Sequence, residues 1–111
     1  GSEPPAPGYD SQPHWEICMR GHAGSNIMPV IASNRIGSEV APGGTEVTFY
    51  GSSFISDHTG QLVAKASRDR EEVLLATFDL DAIAALRASW GLFRDRRPHT
   101  YAAVATLDGR S

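Results

Sequence analysis

Lysine occurs once in this chain, at Lys65, and cysteine once, at Cys18. A lone cysteine excludes a disulfide within the chain and suits a reducing compartment, so a cytoplasmic protein is expected. There is no excess of basic residues. Ten Lys and Arg against thirteen Asp and Glu leave a net charge of −3, which argues against a generic nucleic-acid or membrane-surface binder. No apolar run approaches the roughly 20 residues that cross a bilayer, and residues 1–10, with Pro4, Pro5 and Pro7, lack the apolar core of a signal peptide. The four histidines, His14, His22, His58 and His99, show no tight ligand spacing and no supporting cluster. They read as solvated or structural, and neither a metal nor another cofactor is expected.

What is present is ordinary for a globular protein: 111 residues, 41% hydrophobic and 21% charged. That length supports one modest core. Residues 1–10 read as an extended loop. Asp10 or Ser11 can cap a helix with Pro13 in its first turn, placing Trp15, Cys18, Met19 and His22 on one apolar face and ending near Gly24 and Ser25. Residues 27–32 form a short apolar run, expected as a strand buried on both faces. Residues 37–44 are expected to be loop and residues 45–55 a strand. Asp57-His58-Thr59-Gly60 is a tight turn leading into a returning strand at 61–66. A third strand is expected at 72–78, completing a three-stranded antiparallel meander. Asp79 can cap a helix over residues 80–90 with Ile83, Leu86 and Trp90 on one face, and Gly91 stops it. Residues 92–111 form a tail. A strand buried on both faces needs helices on each side, and only two helices are available, so the inventory reads as part of a larger fold.

Six stretches carry a resemblance. They are Gly1-Ser2-Glu3-Pro4; His14-Trp15 with Met19-Arg20-Gly21-His22-Ala23 and Asn26; Pro29-Val30-Ile31-Ala32-Ser33-Asn34-Arg35-Ile36-Gly37; Thr48-Phe49-Tyr50-Gly51-Ser52-Ser53-Phe54-Ile55; Phe78-Asp79-Leu80; and Trp90-Gly91-Leu92-Phe93-Arg94-Asp95-Arg96-Arg97-Pro98. In this order and spacing they resemble the C-terminal region of nitrilase-superfamily carbon–nitrogen hydrolases, and within them the N-carbamoylputrescine amidase branch. The resemblance implies an α/β fold, the C-terminal part of a four-layer α-β-β-α sandwich that pairs into a homodimer or higher homo-oligomer.

The chemistry it implies is nucleophilic. A cysteine thiolate attacks the amide carbon, a glutamate serves as general base and a lysine stabilises the oxyanion. In the carbamoylputrescine branch the products are putrescine, carbon dioxide and ammonia. The family's nucleophile lies upstream of the Gly-Ser-Glu-Pro phrase, whereas Cys18 lies downstream, on the apolar face of a helix, and reads as a small buried hydrophobe. Lys65 sits on a strand where the family has no catalytic lysine. No catalytic residue is therefore assigned in this chain, and the chain alone is expected to be inactive. The one substrate contact implied is Glu3, whose carboxylate would face the far ammonium of an N-carbamoyl diamine. Asn34 and Arg35 are expected to tie down loops near the pocket mouth. Arg94, Arg96 and Arg97 with Asp95 are expected to pair across a subunit interface anchored by Trp90, Phe93 and Tyr101. The rival reading is a non-catalytic interaction or oligomerisation module built from the same fold.

Overall fold

The structure is a computed structural model that describes residues 1–3 and 8–110, the side chain of Glu3 excepted. Ten short elements follow one another: β1 (Ser2–Glu3), α1 (Gln12–Asn26), β2 (Val30–Ala32), β3 (Ile36–Val40), β4 (Glu46–Tyr50), β5 (Phe54–Ser56), β6 (Leu62–Lys65), α2 (Leu80–Trp90) and two 3₁₀ turns at Pro98–Thr100 and Ala102–Ala105. The strands form two antiparallel three-stranded sheets, ordered β1-β4-β3 and β2-β5-β6. Both helices lie where the spacing places them. Pro13 stands in the first turn of α1, where its missing N–H costs nothing. The Asp79 carboxylate accepts from the Ala82 amide at 2.9 Å, and Gly91 closes α2 at φ 68°.

The strands differ from expectation in several places. Residues 45–55 do not run as one strand: β4 ends at Tyr50 and β5 begins at Phe54 in the other sheet. The crossover is made by two successive left-handed residues, Gly51 at φ 53° and Ser52 at φ 58°. A Cβ on Gly51 would lie 2.7 Å from the Arg68 carbonyl oxygen and 2.9 Å from that of Ser67, so only glycine fits. The first half of residues 37–44, expected as loop, is strand: Ile36–Val40 pairs along its length with β4, and residues 41–44 form the turn that follows. Residues 72–78, expected as the third meander strand, are extended but unpaired among the described residues. The third member of that sheet is β2, through the pairs Val30↔Ser56 and Ala32↔Phe54. Within the opening loop, Ser2 and Glu3 are strand, opposite Phe49 and Thr48. The rest of the expected loop that falls on residues 4–7 lies outside the described residues.

The core sits where α1 covers the β2-β5-β6 sheet. Phe54 and Ala23 are fully buried, with Ile27, Ala32, Tyr50 and Ile55 nearly so. Trp15 stands edge-on to Tyr50 at 5.7 Å and to Phe54 at 5.5 Å, so one helix residue bridges both sheets. The strand buried on both faces is β5, not β2: in β2 Ile31 is 70% exposed. The face of α1 also differs from the apolar reading. Gln12, Glu16 and Ala23 are its buried residues, whereas Cys18 and His22 are exposed. The chain is open in shape. Its radius of gyration is 18.2 Å, against about 13 Å for a compact domain of this length. Val73, Leu75, Trp90 and Val104 are each mostly exposed.

Candidate functional site

Two polar arrangements stand out. The first lies under α1. Gln12, Glu16 and Arg20 recur at intervals of four, forming one stripe along the helix. The Glu16 carboxylate, buried, receives Lys65 Nζ at 2.5 Å, Gln12 Nε2 at 2.8 Å and an Arg20 guanidinium nitrogen at 3.1 Å. Arg20 Nε also donates to the Gly60 carbonyl at 2.7 Å. Burial pushes the Glu16 carboxyl up, but hydrogen bonds from Lys65 and Gln12, the Lys65 charge and the Arg20 contact more than reverse this. The carboxyl therefore lies below its ordinary value. The cluster locks α1 to β6 and to the turn at residues 57–60. That turn is itself held by Asp57, whose carboxylate accepts from the Thr59 amide and hydroxyl and from the Gln61 amide.

These residues do not form a Cys-Glu-Lys catalytic unit, although all three types are present. Glu16 and Cys18 are two positions apart on a helix, about 200° around its axis, and so face opposite ways. Glu16 is buried and pairs with Lys65 at the edge of solvent, whereas Cys18 is exposed on the other side of the helix. The reading of Cys18 as a buried hydrophobe is corrected, but its exclusion from the Glu16–Lys65 pair stands on geometry. The ion pair on the buried Glu16 is not foreseen from the sequence alone. Its trace in the sequence is the Gln12, Glu16, Arg20 stripe, which an apolar reading of α1 passes over.

The second arrangement surrounds Asn34, in the connection between β2 and β3. Its side-chain oxygen accepts from the Gly1 nitrogen at 2.7 Å, and its amide nitrogen donates to the carbonyls of Gly1 at 3.1 Å and Gly51 at 2.7 Å. The Asn34 main chain exchanges hydrogen bonds with the Ser53 hydroxyl. Asn34 thus ties three segments together, in keeping with the loop-fixing role expected for it. The backbone of Glu3, the sequence-predicted substrate residue, lies in β1 two residues from this tie and opposite Thr48; its side chain is outside the described residues.

Beside Asn34 opens a cleft of about 500 Å³, lined among others by Ser33, Arg35, Gly51, Ser53, Arg70 and Glu72. Three of its charged residues, Arg35, Arg70 and Glu72, are already paired within the chain. Arg70 pairs with Glu72 at 3.1 Å, the Ser67 amide donates to Glu72 at 2.8 Å, and Arg35 pairs with Glu39. Hydrogen bonding from the Ser67 amide leads the causes that hold the Glu72 carboxyl below its ordinary value. In the tail, Arg94 grips Asp95 through two contacts of 2.7 and 2.8 Å, and Arg96 lies over Phe93 at 5.3 Å. Two of the three arginines expected to reach a partner subunit are thus engaged within the chain. Among the described residues, no three or more His, Cys, Asp or Glu side chains gather as a metal site. No helix among them is long and apolar enough to cross a membrane.

The motifs, the two sheets and their covering helix define a portion of a hydrolase fold, and comparison with known proteins bears this out. The carbon-nitrogen hydrolase family model matches residues 2–88, and the chain belongs to that family. It is 53% identical, over 98% of its length, to the N-carbamoylputrescine amidase of Arabidopsis thaliana, covering 38% of that protein. It is 52% identical to the citrullinase of Francisella tularensis, over 91% of this chain and 35% of that one. The crystal structure of a carbon-nitrogen hydrolase from Helicobacter pylori G27 superposes with a TM-score of 0.78 at 41% identity, covering 87% of this chain and 34% of the other. The chain therefore spans well under half the length of the relatives it matches.

Proposed function

We propose that the protein to which this chain belongs hydrolyses the carbamoyl C–N bond of N-carbamoylputrescine, releasing putrescine, carbon dioxide and ammonia. The observation that carries this reading is the 53% identity to an N-carbamoylputrescine amidase across 98% of the chain. The catalytic cysteine, glutamate and lysine belong to the part of the fold outside this chain. The thiolate adds to the urea carbon, ammonia leaves, and water then cleaves the S-carbamoyl intermediate to a carbamate, which breaks down to carbon dioxide and the free amine. One water is consumed for each ammonia released.

The contribution of this chain is to recognition. A carbamoylated diamine carries an ammonium at the end away from the reacting carbon, and holding it inside a pocket calls for a carboxylate. Glu3 supplies that carboxylate, on a strand whose backbone is fixed to β4. The protein acts as a homo-oligomer in which the apolar residues left exposed here are covered. The similarity to a citrullinase supports a second reading, in which the substrate end bears a carboxylate beside the ammonium. Ammonia release by the whole protein, measured with N-carbamoylputrescine and with citrulline, tests the choice. A higher kcat/KM with N-carbamoylputrescine supports the proposal; a higher value with citrulline overturns it.

A further inference from the structure

We infer that Asn34 is a positioning residue for the amine end of the substrate, acting through Gly1 on Glu3; this rests on the reading of Glu3 given above. The Gly1 carbonyl accepts a hydrogen bond from the Asn34 side-chain amide at 3.1 Å. Asn34 is in turn held from behind: its amide donates to the Gly51 carbonyl, and its main chain is locked to Ser53 at 2.9 and 3.3 Å. Gly51 and Ser52 are the left-handed pair that carries the chain from one sheet to the other. The grip on Gly1 is therefore anchored to a crossover packed against the Ser67 and Arg68 carbonyls.

Gly1 also lies hard against Tyr50, since a Cβ there would fall 1.8 Å from the tyrosine oxygen. From that point the backbone runs directly into the pairs Ser2↔Phe49 and Glu3↔Thr48. At about 3.4 Å per extended residue, the Glu3 Cα lies roughly 7 Å from the grip, with no flexible turn between. A displacement of Gly1 is passed along this short strand to Glu3. A charge partner displaced by about 1 Å from the ammonium it serves costs on the order of 10-fold.

The test uses the whole protein and two substrates, N-carbamoylputrescine and a carbamoylated monoamine of similar length that lacks the distal ammonium. Asn34→Ala removes the side-chain bonds to the Gly1 and Gly51 carbonyls. Asn34→Asp is the second variant: it keeps the shape of the side chain but cannot donate to either carbonyl. Each is expected to lower the ratio of kcat/KM for diamine over monoamine by up to about 10-fold, mainly through KM for the diamine. In a Glu3→Gln background, Asn34→Ala is expected to lower that ratio no further, because both changes act on one contact. A ratio unchanged in both Asn34 variants overturns the inference while leaving the role of Glu3 intact, and so does an additive loss in the double variant. A Glu3→Gln protein with an unchanged ratio overturns both.

Discussion

Glu16 and Lys65 stand 49 residues apart in the chain and 2.5 Å apart in space, so the charge of the only lysine is used to hold α1 on the sheet. The Glu16 carboxyl lies below its ordinary value of 4.5, which gives the interaction a definite sign with pH. A depressed carboxyl adds stability that is fully present above 4.5 and is lost as the pH falls through the lower folded value. Acid should therefore loosen α1. At neutral pH, Glu16→Gln should lower the stability of the whole protein by about 1–2 kcal/mol, and this difference should shrink as the pH falls below 4.5. Thermal unfolding of both proteins across that range is the check; a difference that grows on acidification would contradict the assignment.

Gly51 permits a second prediction. Alanine there must hold φ at 53° and place a methyl group against two backbone carbonyls that cannot swing aside. Gly51→Ala should cost about 1–3 kcal/mol from the backbone alone, and more from the overlap. Unfolding midpoints in denaturant measure this, and a wild-type midpoint would show that the crossover is softer than drawn.

Much of the fold was legible in the sequence where local chemistry decides. Pro13, Asp79 and Gly91 mark helix ends because capping and backbone conformation act within a few residues. The strands were harder, because pairing depends on partners far along the chain. β3 was missed because Gly37, Ser38, Glu39 and Val40 all face solvent, so no alternation of apolar residues reports it. Residues 72–78 hold the apolar run Val73 to Ala76, with Val73 and Leu75 outward, yet they pair with no strand among the described residues. The inward face of α1 was misread because its buried residues include Gln12 and Glu16, made tolerable by Lys65 and Arg20 from elsewhere in the fold. The role assigned to Glu3 came through the family motif, whereas the Asn34 grip needed the fold, since Gly1 and Asn34 are 33 residues apart.

Cys18 gives a third prediction. It is exposed on the helix face away from Glu16, so it should react readily with a thiol reagent without bearing on catalysis. In the whole protein, Cys18→Ser should leave kcat/KM within about 2-fold of wild type, since a surface substitution away from the site changes little. A loss of several orders of magnitude in ammonia release would make Cys18 part of the catalytic machinery after all.

The open shape of the chain supplies a fourth. Ile31, Val73, Leu75 and Trp90 are 70, 87, 86 and 66% exposed, a load of apolar surface that a soluble monomer rarely carries. Expressed alone, residues 1–111 should self-associate into at least a dimer, or aggregate. Sedimentation at roughly tens of micromolar checks this. A compact monomer that unfolds in one sharp transition would favour an independent module.

The central claim is that this part of the hydrolase recognises the amine end of a carbamoylated diamine through Glu3. It is tested most directly by comparing Glu3→Gln with wild type in the whole protein on N-carbamoylputrescine and on a carbamoylated monoamine. The substitution keeps the shape and removes the charge. Binding of the diamine should weaken by about 1.5–3 kcal/mol, which is roughly 10- to 150-fold, while the monoamine is little affected. Equal losses on the two substrates would contradict the account, because Glu3 would then support its loop and not read the substrate.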